Sequence, residues 1–144
     1  MMLRTEQETA AFGSRLASLV RRGDVVAISG PLGVGKTTLV RGLLAGIGHD
    51  DEVPSPSFAI VQPYETLDPP VWHVDLYRIE DRSELAELGL DSADEAVLLV
   101  EWPERAGDEA WPDALRLSLD FAEAGARRLT AQVPPAWEGR WPPR

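Results

Sequence analysis

The chain has 144 residues, of which 44% are hydrophobic and 26% are charged, and its formal net charge at pH 7 is −10. This length and composition are typical of a globular chain with one hydrophobic core. Cysteine is absent, which excludes disulfides, thiolate catalysis and thiolate metal sites. The excess of acidic residues disfavours direct binding of nucleic acid by this chain alone, because a phosphate backbone is bound by a basic surface.

No positively charged and then apolar leader opens the sequence, and no apolar run approaches the roughly 18 residues of a membrane span. We therefore expect a cytoplasmic protein. Residues 1–133 are predicted to form a single domain, whereas the tail at 134–144, which contains proline and tryptophan, is expected to be poorly ordered.

The first third of the chain predicts a helix, a strand and a second helix. Thr5 and Glu8 have the spacing of a capping box. The apolar helical face that follows consists of Ala10, Phe12, Leu16, Leu19 and Val20. Residues 25–28 predict a short buried strand, and residues 37–47 predict a helix whose end is marked by Gly46 and Gly48.

The rest of the chain predicts mainly strands. Residues 58–64 and 71–77 flank the turn "LDPP" and form a predicted hairpin, which a short helix in "DRSELAELG" follows. The continuous apolar run "AVLLVEW" is typical of a strand that is covered on both faces. Two alternating strands, "LRLSLDF" and "RRLTAQV", come last. The predicted fold is α/β, a P-loop NTPase-like sandwich whose mixed central sheet has a parallel core and antiparallel hairpins and is flanked by helices.

Residues 30–38, "GPLGVGKTT", match the phosphate-binding pattern G-x-x-x-x-G-K-[ST] at every required position. Glycines let successive backbone N–H groups turn inward and form an anion nest at a helix N-terminus, where the helix dipole adds partial positive charge. A strand is predicted just before Gly30 and a helix just after Lys36, which is the context that the motif requires. The sequence therefore predicts a nucleotide-phosphate site in which Thr37 offers its hydroxyl to Mg²⁺.

Lys36 is the only lysine in a chain that has thirteen arginines. A compact ammonium on a flexible stem can reach over the loop to the β- and γ-phosphates, whereas a planar guanidinium does not fit the same space. The retained lysine indicates that shape, and not only charge, matters at this position.

Two acidic residues are candidates to complete the site, because a P-loop needs a carboxylate from a neighbouring strand to hold the metal or to orient water. Glu101 ends the apolar run "VLLVE", and ligands in open α/β sheets bind at the carboxyl ends of such strands. Asp75 lies in "HVDLY", where alternation places His73, Asp75 and Tyr77 on one face. We assign Glu101 to the Mg²⁺ shell and Asp75 to the attacking water.

Two further features allow more than one interpretation. His73, beside Asp75, is either a structural hydrogen-bonding group or a proton carrier, and with His49 as the one other histidine no histidine-based metal site can be assembled. The segment "SPSF" at 55–58 is either a switch that closes over the γ-phosphate or a simple Ser-Pro turn.

The nucleotide base is predicted to be adenine. Guanine-specific GTPases use an Asn-Lys-x-Asp element, but this chain has no asparagine, and its single lysine is in the phosphate loop. The segments "GPLGVGKTTLVRG", "VPSPSF", "WHVDLYR", "ELAELGL" and "VLLVEWPERAG" together resemble the TsaE family of bacterial P-loop ATPases, over about residues 9–128 and in the same order.

The resemblance implies a role in the tRNA modification that makes threonylcarbamoyladenosine, in which the protein binds the TsaB–TsaD pair and hydrolyses ATP to keep it cycling. It implies that Thr37 and Glu101 are Mg²⁺ ligands, that Asp75 is an essential acid, and that Trp102 is an aromatic beside the metal acid, a position where simple packing is also possible. The phosphate binders that it implies are Gly33, Val34, Gly35, Lys36, Thr37 and Thr38. Thr9 and either Arg127 or Arg128 would lie near the nucleotide, and Ser57 stands where the family usually has threonine.

Two other functions share the phosphate loop. A small-molecule kinase would need a substrate pocket and an arginine-containing lid that excludes water, and no arginine-rich lid segment is visible in the sequence. A non-catalytic module that binds partners when it holds nucleotide would not depend on Asp75.

Overall fold

A computed structural model describes residues 1–49, 53, 61–81, 83–90, 93–107 and 109–143. In these ranges the strands are β1 (Met2–Leu3), β2 (Val25–Ser29), β3 (Val61–Tyr64), β4 (Val71–Asp75), β5 (Val97–Glu101), β6 (Leu115–Phe121) and β7 (Arg127–Gln132). The α-helices are α1 (Glu6–Leu16), α2 (Lys36–Ile47) and α3 (Ser83–Glu87). None of the helices in these ranges is long and apolar enough to cross a membrane.

The strands of the described residues form one mixed sheet in the order β1-β7-β6-β2-β5-β4-β3. Its centre is parallel, because β2 pairs in parallel with β5 and β6, and β4 pairs in parallel with β5. Antiparallel pairs, β3 with β4, β6 with β7 and β1 with β7, extend both sides. The predicted α/β architecture with a parallel core and antiparallel hairpins is therefore confirmed; β1 was missed, because two residues carry no periodic signal.

One face of the sheet is covered by α1 and α2, which pack against each other and against the buried side chains of the central strands. The two helices approach closely at Gly42, where an added Cβ atom would lie 1.9 Å from the carbonyl oxygen of Ala10. Glycine is required there because any side chain would push the helices apart. This close packing fixes α1 beside the helix that carries the phosphate-loop lysine.

The opposite face, over β4 and β5, is covered by a second apolar cluster. Its buried members are Val74, Leu76, Ile79, Ala93, Ala96, Leu98, Val100 and Ala106. All five residues of β5 are buried, as its continuous apolar run predicted. Burial on both faces makes β5 a rigid support for the acidic residue at its end, Glu101.

The helix ends differ in two places from the sequence prediction. Thr5 caps α1 by accepting a hydrogen bond from the backbone N–H of Glu8 at 3.0 Å, as predicted, but the helix ends at Leu16, before Leu19 and Val20. Gly46 lies inside α2, and only Gly48 ends that helix, with a φ of 119°. An added Cβ at Gly46 would meet Ser14 and Ala17, so this glycine serves helix packing and not termination.

The tail beyond β7 packs against the domain. Trp137 is completely buried in the main core, and the Arg140 guanidinium donates to both carboxylate oxygens of Asp24, at 2.6 and 3.1 Å. Trp141 makes an edge contact with Phe12, with the ring centroids 6.0 Å apart. These contacts differ from the expected poorly ordered tail. A buried tryptophan removes enough apolar surface from water to hold a short proline-rich segment in place.

Candidate functional site

The phosphate-loop motif lies where the sequence placed it, between the carboxyl end of β2 and the first turn of α2. Gly35, at the N-cap of α2, has a φ of 114°, a conformation that residues with a Cβ rarely adopt. This geometry turns the loop into the start of α2, so that the unpaired N–H groups of the helix and its dipole face the loop. The arrangement can bind an anion.

Lys36 is largely buried and bends back over the loop. Its ammonium donates to the carbonyl oxygens of Gly30 and, at 3.1 Å, Pro31, and it lies 4.0 Å from the centroid of the Trp102 ring. Burial lowers the pKa of Lys36, while the nearby carboxylates of Glu101, Glu104 and Asp75 oppose that shift. The ammonium therefore sits at the loop in a partly desolvated position, where its charge acts strongly on an incoming phosphate.

The Thr37 hydroxyl donates to the Glu101 carboxylate, and its Oγ1 lies 3.1 Å from both Oε1 and Oε2. Thr37 comes from the first turn of α2 and Glu101 from the carboxyl end of β5, which pairs directly with β2. Glu101 is 3% exposed. Two predicted metal-binding side chains, 64 residues apart in the chain, are thus in contact.

Asp75 lies beside Glu101, because the parallel register of β4 and β5 pairs these two residues. Its Oδ1 accepts a hydrogen bond from the backbone N–H of Tyr77 at 2.9 Å. Burial raises the pKa of Asp75, and the Glu101 carboxylate raises it further, against the opposing effect of the Tyr77 hydrogen bond. A partly buried carboxyl group with a raised pKa, next to a phosphate-binding loop, suits an acid that orients or activates water.

Trp102 has a left-handed backbone, with φ 59° and ψ 48°. This conformation is unusual for a bulky residue and is found mainly where surrounding structure enforces it. It turns the chain directly after Glu101, so that the indole covers the Lys36 ammonium. The indole also packs against the Tyr77 ring, with the two ring centroids 4.9 Å apart. The sequence offered no signal for this backbone.

A cleft of about 260 Å³ adjoins the loop. Its lining residues are Thr5, Glu6, Thr9, Gly33, Gly35, Thr38, Gly125 and Arg127. Arg127 reaches the loop by donating from Nε to the Val34 carbonyl at 2.8 Å, whereas Arg128 lines a different depression with Met2 and Phe121. Of the two arginines left open by the sequence, Arg127 is therefore the one beside the loop, and Thr9 is there too.

Comparisons with known proteins cover most of the chain. The family model for the threonylcarbamoyl adenosine biosynthesis protein TsaE matches residues 3–129. The chain belongs to the TsaE family. Family membership assigns it to the proteins of threonylcarbamoyl adenosine biosynthesis, as the resemblance implied.

Individual TsaE proteins agree with this assignment. The tRNA threonylcarbamoyladenosine biosynthesis protein TsaE of Streptomyces coelicolor is 46% identical over 114 residues, which are 76% of this chain and 77% of that protein. The protein of the same name from Treponema pallidum is 32% identical over 88% of this chain and 95% of its own length. The crystal structure of YdiB from Bacillus subtilis superposes with a TM-score of 0.76 at 30% identity, covering 91% of this chain and 82% of that one.

The oxygen atoms of Thr37 and Glu101 are of a kind that fits Mg²⁺. A threonine hydroxyl and one carboxylate are hard donors, and Mg²⁺ is usually held by one or two carboxylates together with water and substrate phosphates. In the described part of the chain, no group of three or more His, Cys, Asp or Glu side chains could hold a metal ion. A Mg²⁺ ion at Thr37 and Glu101 would take its remaining ligands from water and nucleotide phosphates.

Two sequence hypotheses about this TsaE chain have different outcomes. The switch hypothesis for "SPSF" concerns residues outside the described ranges. For His73 the structure adds one observation: its Nε2 lies 2.6 Å from Oε2 of Glu101. Sequence reasoning missed this contact because it grouped His73 with Asp75 on one strand, whereas the contact crosses to the next strand.

Proposed function

We propose that this chain is a cytoplasmic, Mg²⁺-dependent ATP-binding and ATP-hydrolysing protein that supports threonylcarbamoyladenosine modification of tRNA by binding and cycling the TsaB–TsaD complex. The observation that carries the proposal is the contact between the Thr37 hydroxyl and the Glu101 carboxylate, 3.1 Å apart, beside the phosphate loop. An acidic residue at this point is what a phosphate loop needs in order to hold a metal.

The residues of the site have separate tasks in this proposal. The loop amides and Lys36 bind the terminal phosphates, and Thr37 and Glu101 hold Mg²⁺, which supplies neutralisation of the phosphate charge. Asp75 orients the attacking water and accepts its proton; its raised pKa brings it closer to the pH at which an acid–base group is most effective. Thr9 and Arg127 line the cleft beside the loop and contact the rest of the nucleotide.

The acidic charge of the chain supports a proposal in which partner proteins, and not this chain, bind the tRNA. A net charge of −10 makes it unsuited to hold tRNA, because binding to a phosphate backbone depends on basic side chains. The relatives are named for tRNA threonylcarbamoyladenosine biosynthesis. In our proposal, the TsaB–TsaD pair holds the tRNA, and this chain contributes ATP turnover.

The test measures phosphate release from ATP by the purified chain, alone and with the TsaB–TsaD pair, with the Lys36→Ala variant as the control for contaminating ATPases. We expect slow release by the chain alone and faster release with the pair, and no release above background by the variant.

The same assay distinguishes the alternatives. Candidate metabolites are added as phosphate acceptors, and phosphorylation of one of them would contradict the proposal in favour of a small-molecule kinase. ATP binding without turnover under every condition would favour a non-catalytic binding module.

A further inference from the structure

His73 is a completely buried histidine that has no task in the function proposed above. Its Nε2 lies 2.6 Å from Oε2 of Glu101, and both side chains are buried, with exposed fractions of 0% and 3%. The contact joins β4 to β5, since His73 pairs in register with Leu99, two residues before Glu101. A short contact between two buried polar groups is energetically important, because a buried carboxylate without partners is costly.

The surroundings of the ring indicate which nitrogen carries the proton. Nδ1 of His73 is buried and has no hydrogen-bond partner among the described residues. A buried N–H without an acceptor is more costly than a bare lone pair next to apolar groups, and a carboxylate can only accept. Nε2 therefore carries the hydrogen and donates it to Glu101.

The Glu101 carboxylate is consequently held from two sides. The His73 N–H binds Oε2 from the side of β4, and the Thr37 hydroxyl lies 3.1 Å from both oxygens on the side of α2. Without His73, only the contact with the Thr37 hydroxyl would remain among the hydrogen bonds to this carboxylate that the structure describes. A glutamate side chain has three rotatable torsions, so a second anchor is what selects one rotamer.

We propose that His73 is a positioning residue that fixes the Glu101 carboxylate in the orientation that binds Mg²⁺ beside Thr37. The inference rests on the proposed function, because it takes Glu101 as the metal acid. It assigns His73 no contact with nucleotide and no part in proton transfer. Hydrogen bonds that orient a metal ligand are typically worth about 10- to 100-fold in metal affinity.

Three substitutions separate positioning from packing. His73→Gln keeps an N–H donor near the position of Nε2, whereas His73→Met has the same length without a donor. His73→Asn has a donor, but its shorter side chain reaches only as far as Nδ1. The Gln variant should therefore keep the wild-type response of ATP binding to Mg²⁺, which the Met and Asn variants should lose.

The experiment measures ATP affinity by calorimetry during a Mg²⁺ titration and in EDTA, for the wild-type chain and the three variants. We expect the Met and Asn variants to need about 10- to 100-fold more Mg²⁺ to tighten ATP binding, with unchanged affinity in EDTA. The Gln variant should resemble the wild type. If either the Met or the Asn variant fails to fold, the other still decides the question.

Thermal unfolding without ligand reports the structural contribution of His73 separately. If the Met and Asn variants unfold at lower temperature but keep the wild-type Mg²⁺ requirement, His73 is a packing residue and the inference is overturned. It is also overturned if all three variants lose the Mg²⁺ effect equally, since the donor would then be irrelevant. If the ATP affinity of the wild-type chain were the same in Mg²⁺ and in EDTA, the metal role of Glu101 would be contradicted. The positioning role of His73 would then be contradicted too.

Discussion

The ammonium of Lys36 lies 4.0 Å from the centroid of the Trp102 ring and donates to the carbonyl oxygens of Gly30 and Pro31. These contacts hold the cation over the phosphate loop. They also explain why the chain has lysine here, because the space between two carbonyls and an indole face admits a compact ammonium more readily than a forked guanidinium. Pre-positioning of this kind lowers the ordering cost of binding.

Replacing Lys36 should therefore abolish tight ATP binding, and arginine should not restore it. We expect Lys36→Ala and Lys36→Arg each to weaken binding by about 100-fold or more, since charge-assisted contacts are worth roughly 1.5–3 kcal/mol each and about 1.4 kcal/mol is tenfold in affinity. Calorimetric titration with ATP and Mg²⁺ is the measurement. Arg22→Ala is the control, because it removes one positive charge from an exposed ion pair with Asp68 at the opposite end of β2. Affinity close to wild type in Lys36→Ala would refute the phosphate-loop assignment.

Glu101→Ala should weaken the Mg²⁺ dependence of ATP binding. The variant removes a carboxylate that contacts the Thr37 hydroxyl, and Mg²⁺ prefers carboxylate oxygens. The matched control is Glu104→Ala, which removes an exposed carboxylate three residues further along the chain. The ratio of the ATP affinity in Mg²⁺ to that in EDTA should be smaller for Glu101→Ala than for Glu104→Ala. Full retention of the Mg²⁺ effect in Glu101→Ala would require another metal acid.

The sequence predicted the strands and the position of the phosphate-loop motif well, because both carry local signals. The buried run at β5 and the glycine spacing of residues 30–35 each depend on neighbours within a few positions. The contact of His73 with Glu101 joins residues that are 28 positions apart in the chain. A single histidine and a single glutamate in a sequence do not indicate that their side chains meet. The left-handed backbone of Trp102 is imposed by the turn after β5, and Gly42 is explained only by a helix that packs against it.

The roles of the two acidic residues, Asp75 and Glu101, were also beyond what local sequence patterns can determine. The sequence supplied two carboxylates at strand ends, and the parallel register of β4 with β5 places them side by side. That register depends on pairing between strands distant in the chain, which periodicity cannot determine. The separate tasks of Asp75 and Glu101 thus stay predictions that mutagenesis has to test.

Asp75→Ala should leave ATP binding largely intact while reducing hydrolysis by about 100-fold or more, the usual contribution of a general acid–base group. Asp75 lies next to Glu101, the proposed metal acid, but we assign it to the attacking water and not to phosphate. Single-turnover phosphate release, measured at saturating ATP, separates the two effects. Equal rates in the variant and the wild type would make Asp75 a structural residue.

Asp75→Asn should be more stable than the wild type at neutral pH. Burial raises the pKa of Asp75 above its ordinary value of 3.8, so the folded state binds this proton more tightly than the unfolded state. Stability from this group is complete below pH 3.8 and is lost as the pH rises through the raised pKa. Asparagine removes that loss and can still accept the Tyr77 hydrogen bond.

Urea unfolding over a range of pH checks this linkage. The stability gap between Asp75→Asn and the wild type should be largest at neutral pH and should narrow towards pH 3.8. Asp75→Ala serves as the control for the hydrogen bond to Tyr77, which it cannot accept. A gap that grows on acidification would contradict the raised pKa.

Gly42→Ala should destabilise the fold, because the new Cβ would lie 1.9 Å from the Ala10 carbonyl oxygen and would force α1 away from α2. Overpacking of this kind costs about 1–3 kcal/mol or more. The control is Gly139→Ala, where no described residue other than the chain neighbours has an atom within 4 Å of the added Cβ. Since α1 carries Thr9 in the cleft beside the phosphate loop, ATP affinity should fall along with stability in Gly42→Ala only. Wild-type stability in that variant would mean that the helices are further apart than described.

The tail should contribute to stability although it lies beyond the matched family region. Trp137 is completely buried, so Trp137→Ala should lower the free energy of unfolding by about 3–5 kcal/mol. Arg140→Ala should cost less, about 1–3 kcal/mol, because it leaves Asp24, which is 14% exposed, without its charged partner. The two residues also contact each other, with the guanidinium carbon 3.9 Å from the indole centroid, so the double variant should lose less than the sum. Denaturant unfolding of the four chains tests this, and unchanged stability in Trp137→Ala would restore the expectation of a poorly ordered tail.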